Sequence, residues 1–361
     1  MSIIKLGIRN FRNLHSVDIE PAADINLIVG NNASGKTSLL EAIYFLGMAS
    51  SFRTTHFDRI LENGESELSV YAKQILKTGQ IIPFGIQKGV KKVIFRINEQ
   101  KIDKVSDLVS NLPLQVIHPN SHHILEQGPR NRRKFIDWGV FHVEQNFFLN
   151  WKRYQRALKQ RNACLRNRDN KAIIQAWDNE LIESGINITC MRKQYLIDLE
   201  QLLPQYIAPM LGDIKITLNY QQGWKKDFDF DVALKNAINL DIDRGFTTVG
   251  PQRADITIKA DDMIANERIS RGQQKILVTG LLLAQTALFN HKTNNNCLLL
   301  IDDVAAELDP KNKECLLSIL ANMKMQLFLT SIERSTLESV LDQSSASKMF
   351  HVEHGFVSEV V

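Results

Sequence analysis

Cysteine is scarce and scattered: Cys164, Cys190, Cys297 and Cys315 are the only four in 361 residues, and no two form a C-x-x-C pair. That spacing argues against a zinc module built on paired thiolates and against a disulfide framework, and it fits a reducing compartment. Long apolar runs are missing as well. The most apolar stretch, 281–289, is interrupted by Gln285 and ends at Asn290 and His291, far short of the roughly 18 to 20 residues that span a bilayer. The first residues carry Lys5, Arg9 and Arg12 without an apolar core and small-residue cleavage site, so no secretory leader is expected and a soluble cytoplasmic protein is. Charge of one sign is absent too. A formal net charge of +4 leaves any nucleic-acid contact to local basic patches. There is no internal repeat and no low-complexity tract.

What is present is enough chain for about two domains at roughly 150 residues each, with 44% hydrophobic residues to fill their cores. Short β-branched or alternating runs at 3–8, 17–19 and 25–29 predict strands. A helix over 38–46 follows, with Leu39, Leu40, Ile43 and Leu46 on one apolar face. Further strands are expected at 68–75, 81–86 and 93–97, the last two forming a hairpin whose basic tip holds Lys88, Gly89, Lys91 and Lys92. From about 120 to 211 the chain takes on helical period and high charge, until Pro204 and Pro209 break the last helix. Strand signals resume at 214–218, 256–258 and 297–301, and a final apolar strand at 326–329 leads into Thr330 and Ser331. The pattern predicts an α/β core made from both ends of the chain, 1–115 and 250–361, with a mostly helical lobe, 116–249, inserted between them.

Gly30-Asn31-Asn32-Ala33-Ser34-Gly35-Lys36-Thr37 fits G-x-x-x-x-G-K-[ST] and sits between a strand and a helix, as a phosphate-binding loop requires. Glycines admit the phosphates to the backbone, and the amides at the helix start form an anion nest. Lys36 is placed to reach the β- and γ-phosphates of ATP, and Thr37 to hold Mg²⁺. A glycine-rich turn with a chance lysine would lack those flanking elements. Leu298-Leu299-Leu300-Ile301-Asp302-Asp303 is an apolar strand ending in two carboxylates. Asp302 is expected to partner the magnesium, and Asp303 to orient the attacking water. The bland alternative is that both merely open the next loop.

Ser270-Arg271-Gly272-Gln273 makes a capping box at the start of a long amphipathic helix. With the phosphate loop and the acidic strand, it resembles the signature motif of the ABC ATPase superfamily, whose serine and glycine contact the γ-phosphate held by a partner subunit. Ala306-Glu307-Leu308-Asp309 follows in the order of that superfamily. The implied fold is an ABC-type P-loop ATPase head with an inserted, mostly helical second lobe. Phe11-Arg12-Asn13 ahead of the phosphate loop resembles the DNA-repair branch, which implies a place for Arg12 at the nucleotide.

Within that branch the chain resembles the RecF family over nearly its whole length. The resemblance is carried by Ser51-Phe52-Arg53-Thr54, by Arg130 with the run from Arg132 to Gly139, by Gly250-Pro251-Gln252-Arg253-Ala254-Asp255, and by Ser270-Arg271-Gly272-Gln273-Gln274-Lys275. The hundreds of heptad residues of SMC proteins are absent. The resemblance implies ATP-driven homodimerisation on DNA at single-strand gaps, recombinase loading with a RecR-type partner, and a part in the SOS response. Ala33 replaces a glycine usual in the loop, and Thr330-Ser331 stands where a transporter has its switch histidine. Asp303 is one methylene shorter than the usual glutamate, so hydrolysis is expected to be slow.

Between Glu144 and Asp169 every charged residue is basic. If the segment is helical, Phe147, Trp151, Tyr154, Leu158 and Leu165 form its buried stripe. Lys152, Arg153, Arg156, Lys159 and Arg166 are then the candidate DNA contacts, on phosphates rather than bases. His118, His122 and His123 lack a carboxylate or cysteine at ligand spacing, so no metal is expected there. The Arg130–Lys134 cluster reads equally as phosphate-binding or as paired with acids of the core. Two other functions compete with the DNA-clamping ATPase: an ATP-binding scaffold without meaningful turnover, and a transporter ATPase subunit, which the long insert and missing switch histidine disfavour.

Overall fold

The computed structural model describes residues 1–303, 308–331 and 346–360. The chain forms two compact units, one of residues 1–121 with 289–361 and one of residues 122–288. The α/β class expected from the sequence is the class found.

The first unit holds two six-stranded sheets. One is antiparallel, in the order Leu14–Ile19, Ser2–Phe11, Glu67–Ile75, Ile81–Gly89, Val93–Ile97, Gln100–Ile102. Its strands alternate between buried and exposed positions, most regularly along Glu67–Ile75, as a sheet with one covered face does. The other runs Phe356–Val360, Ser347–Glu353, Ile25–Val29, Leu327–Ser331, Leu298–Ile301, Leu114–Ile117, and all its pairings are parallel except the first. Its three central strands are buried along their whole length, which is why they read as unbroken apolar runs. Leu27 sets the register, standing opposite Leu329 on one side and Met349 on the other.

The helix Lys36–Met48 packs into the cluster fed by both sheets, with Leu6 and Ile8 from one and Leu300 and Phe328 from the other. It is therefore buried around nearly all its circumference, not on the single face its spacing suggests. The strand 326–329 is not the last of the fold: Ser347–Glu353 and Phe356–Val360 follow it as a hairpin at the edge of the parallel sheet. Leu114–Ile117 is a further unanticipated strand.

The second unit is mostly helical, with the long helices Pro129–Val143, Phe147–Asn167, Asp178–Leu211 and Phe230–Arg244, and a small sheet of Met263–Ile264, Asp255–Ala260 and Ile216–Gln221. Residues 250–288 pack here, where the sequence suggested the ATPase lobe. Asp255–Ala260 pairs along its length with Ile216–Gln221, and Arg132 pairs with Asp255. Pro204 and Pro209 do not break their helix, which runs on to Leu211. Both prolines lie on its exposed side, while Leu203, Tyr206, Ile207 and Met210 are buried on the other. Tertiary packing there outweighs the roughly 3 kcal/mol that an interior proline costs a helix.

Arg161 is wholly buried in this unit. It donates to Asp178 at 2.8 Å, Asp241 at 2.7 Å and Thr247 at 2.8 Å, and Asp241 also accepts the backbone N–H and hydroxyl of Thr248. Such a site is tolerable in a core because the guanidinium is paired with carboxylates in place, although Arg161 Nη2 is buried without a hydrogen-bond partner among the described residues.

Candidate nucleotide site

The fully buried strand Ile25–Val29 delivers the chain into the loop Gly30–Gly35, and the helix begins at Lys36. Two glycines are sterically required. A Cβ at Gly30 would lie 2.3 Å from the Val352 carbonyl oxygen, and one at Gly35, where φ is +122°, would lie 2.9 Å from the Asn13 amide nitrogen. Ala33 takes the left-handed conformation, φ 62°, although it carries a Cβ. Lys36, only 6% exposed, folds its ammonium onto its own loop and donates to the carbonyls of Gly30 at 2.7 Å and Asn31 at 2.9 Å. Burial pulls Lys36 below the ordinary lysine range, against the opposing pull of the Asp303 and Asp302 carboxylates.

Those carboxylates come from the end of strand Leu298–Ile301, with Asp302 buried and tied by its backbone N–H to the Ile117 carbonyl at 2.8 Å. The Asp302 carboxylate accepts hydrogen bonds from the hydroxyls of Thr37 at 2.9 Å and Thr330 at 3.0 Å. Burial raises its proton affinity, and these two donors oppose the shift. Asp303 adopts a left-handed φ of 51°, and its backbone N–H donates to the Thr330 hydroxyl at 2.9 Å. Thr330 thus orders both acids, a role for which its place in the sequence gave no signal beyond following an apolar strand.

The residues fit a triphosphate with its magnesium ion. Thr37 and Asp302 present the paired oxygens that Mg²⁺ takes. The Lys36–Met48 helix starts without a side-chain cap, so its first amides face the loop as an anion nest. Ser34 Oγ and Asp303 Oδ1 are buried without a hydrogen-bond partner among the described residues, as groups waiting on a polar ligand are.

Two elements brace the loop from behind. The Ser34 carbonyl accepts from the Asn13 side chain at 3.1 Å and from the Gly355 N–H at 2.9 Å, while Asn13 Oδ1 accepts from the Ser38 hydroxyl at 2.8 Å. Arg12, expected at the nucleotide, has its guanidinium held by Glu41 and by the Arg59 carbonyl at 2.9 Å. Glu41 is completely buried and also takes the Ser51 hydroxyl and Arg53, the latter at 3.6 Å. An acid at an interior helical position gave no sequence sign of this role.

The capping box forms in the second unit: Ser270 N–H donates to the Gln273 side chain at 3.0 Å and Gln273 N–H to the Ser270 hydroxyl at 3.3 Å. Ser270, Arg271 and Gly272 are exposed, and a Cβ at Gly272 would meet open space. The 306–307 part of the Ala306-Glu307-Leu308-Asp309 motif lies outside the described residues, while Asp309 caps the helix Pro310–Asn322.

Of the basic helix Phe147–Asn167, Lys152, Arg156, Lys159 and Arg166 are exposed. Arg153 is not available in the same way, since Glu180 and Glu183 hold it at 2.7 and 2.9 Å. Lys88 leaves the hairpin tip: it lies in a strand with its ammonium 5.0 Å from the Phe57 ring and 5.7 Å from that of Phe45. His122 and His123 do have a carboxylate at hand, because one helical turn brings Glu126 to 3.4 Å from His122, and ligand atoms of all three lie within 4.8 Å.

Among the described residues no helix is long and apolar enough to cross a membrane. The fold and the phosphate loop define a class of ATPase head, and residues 2–358 match the family model described as RecF/RecN/SMC N terminal domain. The DNA replication and repair protein RecF of Shewanella baltica (strain OS223) is 38% identical over 363 residues, covering all of both chains. The chain belongs to the RecF family of DNA replication and repair proteins. Its fold is similar to that of the recombination mediator protein RecF solved with ATP, from the RecFOR pathway, with a TM-score of 0.88 at 24% identity over 99% of this chain and 97% of that one. It is also similar to the Pyrococcus furiosus Smc head domain bound to the C-terminal domain of ScpA, at a TM-score of 0.61 and 13% identity over 99% and 95% of the two chains.

Proposed function

We propose that the chain binds ATP with Mg²⁺ through Gly30–Thr37 and Asp302, and that nucleotide closes two copies into a homodimer on DNA. The observation that carries this reading is the chain of contacts Thr37–Asp302–Thr330–Asp303 beside Lys36. It gathers a phosphate cation, a metal-binding oxygen pair and a second acid at one loop. In the dimer, the exposed Ser270, Arg271 and Gly272 of one copy complete the phosphate pocket of the other, with Gln273 fixing the serine. Asp303 orients the attacking water, and slow hydrolysis reopens the dimer. The protein acts at single-strand gaps, where a RecR-type partner joins it to load recombinase and to support the SOS response.

Size analysis by light scattering, with and without ATP and with duplex, single-stranded and gapped DNA, tests the scheme. Lys36→Ala is expected to abolish ATP binding. Asp303→Asn is expected to bind ATP and to remain dimeric for longer than the parent. A monomeric Asp303→Asn protein at saturating ATP would end the switch reading.

A further inference from the structure

The second unit concentrates positive charge that the nucleotide site does not use. Helix Pro129–Val143 opens with Arg130, Arg132, Arg133 and Lys134, has no acid in its first turn and receives no side-chain cap from Gly128. Cations at that end oppose the helix dipole. Only part of the charge is neutralised internally. Arg132 makes a two-pronged pair with Asp255 at 2.7 and 2.9 Å, and Asp137 is taken by the buried Arg192 at 2.8 and 2.9 Å. Arg133 pairs with no carboxylate among the described residues; it donates to the Ala254 carbonyl at 2.7 Å. Beside it Arg253 is exposed, its guanidinium 5.1 Å from the Phe246 ring centre. Burial, with Arg192 and Arg253 close by, depresses the proton affinity of Arg133 although Asp255 and Asp137 oppose the shift.

The loop under Arg253 is held rigidly. Gly250 has a φ of +125°, and its N–H donates to the Gly223 carbonyl at 3.1 Å. Gln252 accepts the Tyr154 hydroxyl and donates to the Val249 carbonyl at 2.9 Å, and Arg192 donates to the Pro251 carbonyl at 2.8 Å. These bonds fix the backbone that carries Arg253, so the base of the side chain is positioned before a ligand arrives, while the guanidinium itself rests on the Phe246 ring.

We propose that Arg130, Arg133, Lys134 and Arg253 form a phosphate-binding site whose ligand is the sugar-phosphate backbone of a nucleic acid. Arg133 and Lys134 each lie one turn from Arg130, at i+3 and i+4, so the three spread donors around one stretch of helix surface rather than into a single pocket, as a repeating phosphate chain requires. Guanidinium forks match phosphate oxygens in pairs, which favours this ligand over a simple halide or a hydrophobic peptide. Phosphate contacts of this kind position a strand without reading its bases. The inference rests on the DNA-binding reading and assigns its surface to this cluster rather than to Lys152 and its neighbours.

The test uses the full chain with fluorescein-labelled duplex and single-stranded oligonucleotides, titrated over a range of salt. Arg130→Ala/Arg253→Ala is expected to weaken duplex binding at least tenfold. It should also flatten the plot of log affinity against log salt by about 1.8, since each lost phosphate contact contributes about 0.9. Both side chains are exposed, so thermal melting and ATP binding should match the parent, and Arg130→Lys/Arg253→Lys should keep most of the salt slope. Parent-like DNA binding by the double alanine variant, with the loss appearing instead in Lys152→Ala/Arg156→Ala, overturns the proposal and leaves DNA binding standing. A double alanine variant defective only in ATP-driven self-association overturns it equally. Failure of the parent chain to bind any DNA removes the DNA-binding reading itself, and the proposal with it.

Discussion

Thr330 sets its hydroxyl 3.0 Å from the Asp302 carboxylate and donates to it, while the same oxygen accepts the backbone N–H of Asp303. One side chain on a central strand therefore fixes the carboxylate facing Thr37 and the backbone of the acid beside it. Thr330→Val keeps the shape and removes both hydrogen bonds. Phosphate release from ATP is expected to fall roughly tenfold, equivalent to about 1.4 kcal/mol at the transition state, with ATP affinity changed much less. Steady-state hydrolysis and equilibrium nucleotide titration on the same preparation separate the two effects. Equal losses in both would mean that Thr330 merely holds the loop together.

Ala33 occupies a left-handed conformation, φ 62°, that costs a residue with a Cβ roughly 1–2 kcal/mol. Ala33→Gly relieves that strain but loosens the unfolded chain by about 0.4–1 kcal/mol. The net expectation is a gain of between about 0 and 1.6 kcal/mol, read as a higher urea midpoint with an unchanged slope. Lower stability would show that the alanine methyl makes packing contacts worth more than the backbone strain.

The phosphate loop, the acidic strand end and the capping box were legible because each is contiguous: Gly30 to Thr37, Leu298 to Asp303 and Ser270 to Gln273 carry their chemistry within eight residues or fewer. What brings Thr37, Asp302 and Thr330 together is the order of the parallel sheet, which places Leu327–Ser331 between Ile25–Val29 and Leu298–Ile301. That order is set by long-range pairing and leaves no mark on any one segment. Asn13 and Gly355 were hidden for the same reason, since they meet at the Ser34 carbonyl from distant parts of the chain. The hairpin that carries Gly355 turns at His354 and Gly355, both at positive φ, 47° and 82°, in a two-residue turn between antiparallel strands. The basic helix could not show in sequence that acids on a neighbouring helix, Glu180 and Glu183, pair with Arg153.

The buried cluster at Arg161 makes a further prediction for the second unit. Asp241→Ala leaves Arg161, which has no solvent exposure, with Asp178 as its remaining carboxylate partner, and it strips the acceptor from Thr248. Removing one member of a buried ion pair costs roughly 3–5 kcal/mol. Chemical denaturation is expected to show a loss of that size. A loss under about 1 kcal/mol would mean that water reaches Arg161 in solution.

His142 gives the fold a pH dependence of defined sign. It lies in the helix Pro129–Val143 with the Trp138 ring 4.7 Å and the Phe141 ring 5.0 Å away, and burial lowers its pKa from 6.5 to about 4. The unfolded chain therefore binds a proton between those values where the folded chain does not. Stability tied to the neutral ring is complete above about pH 6.5 and is lost progressively as the pH falls toward 4, by up to about 3 kcal/mol at 1.36 kcal/mol per unit. His142→Phe removes the titrating group at similar size. Its unfolding free energy should lose less than that of the parent between pH 6.5 and 4.5, and parallel pH profiles for the two proteins would show that His142 protonates freely in the folded state.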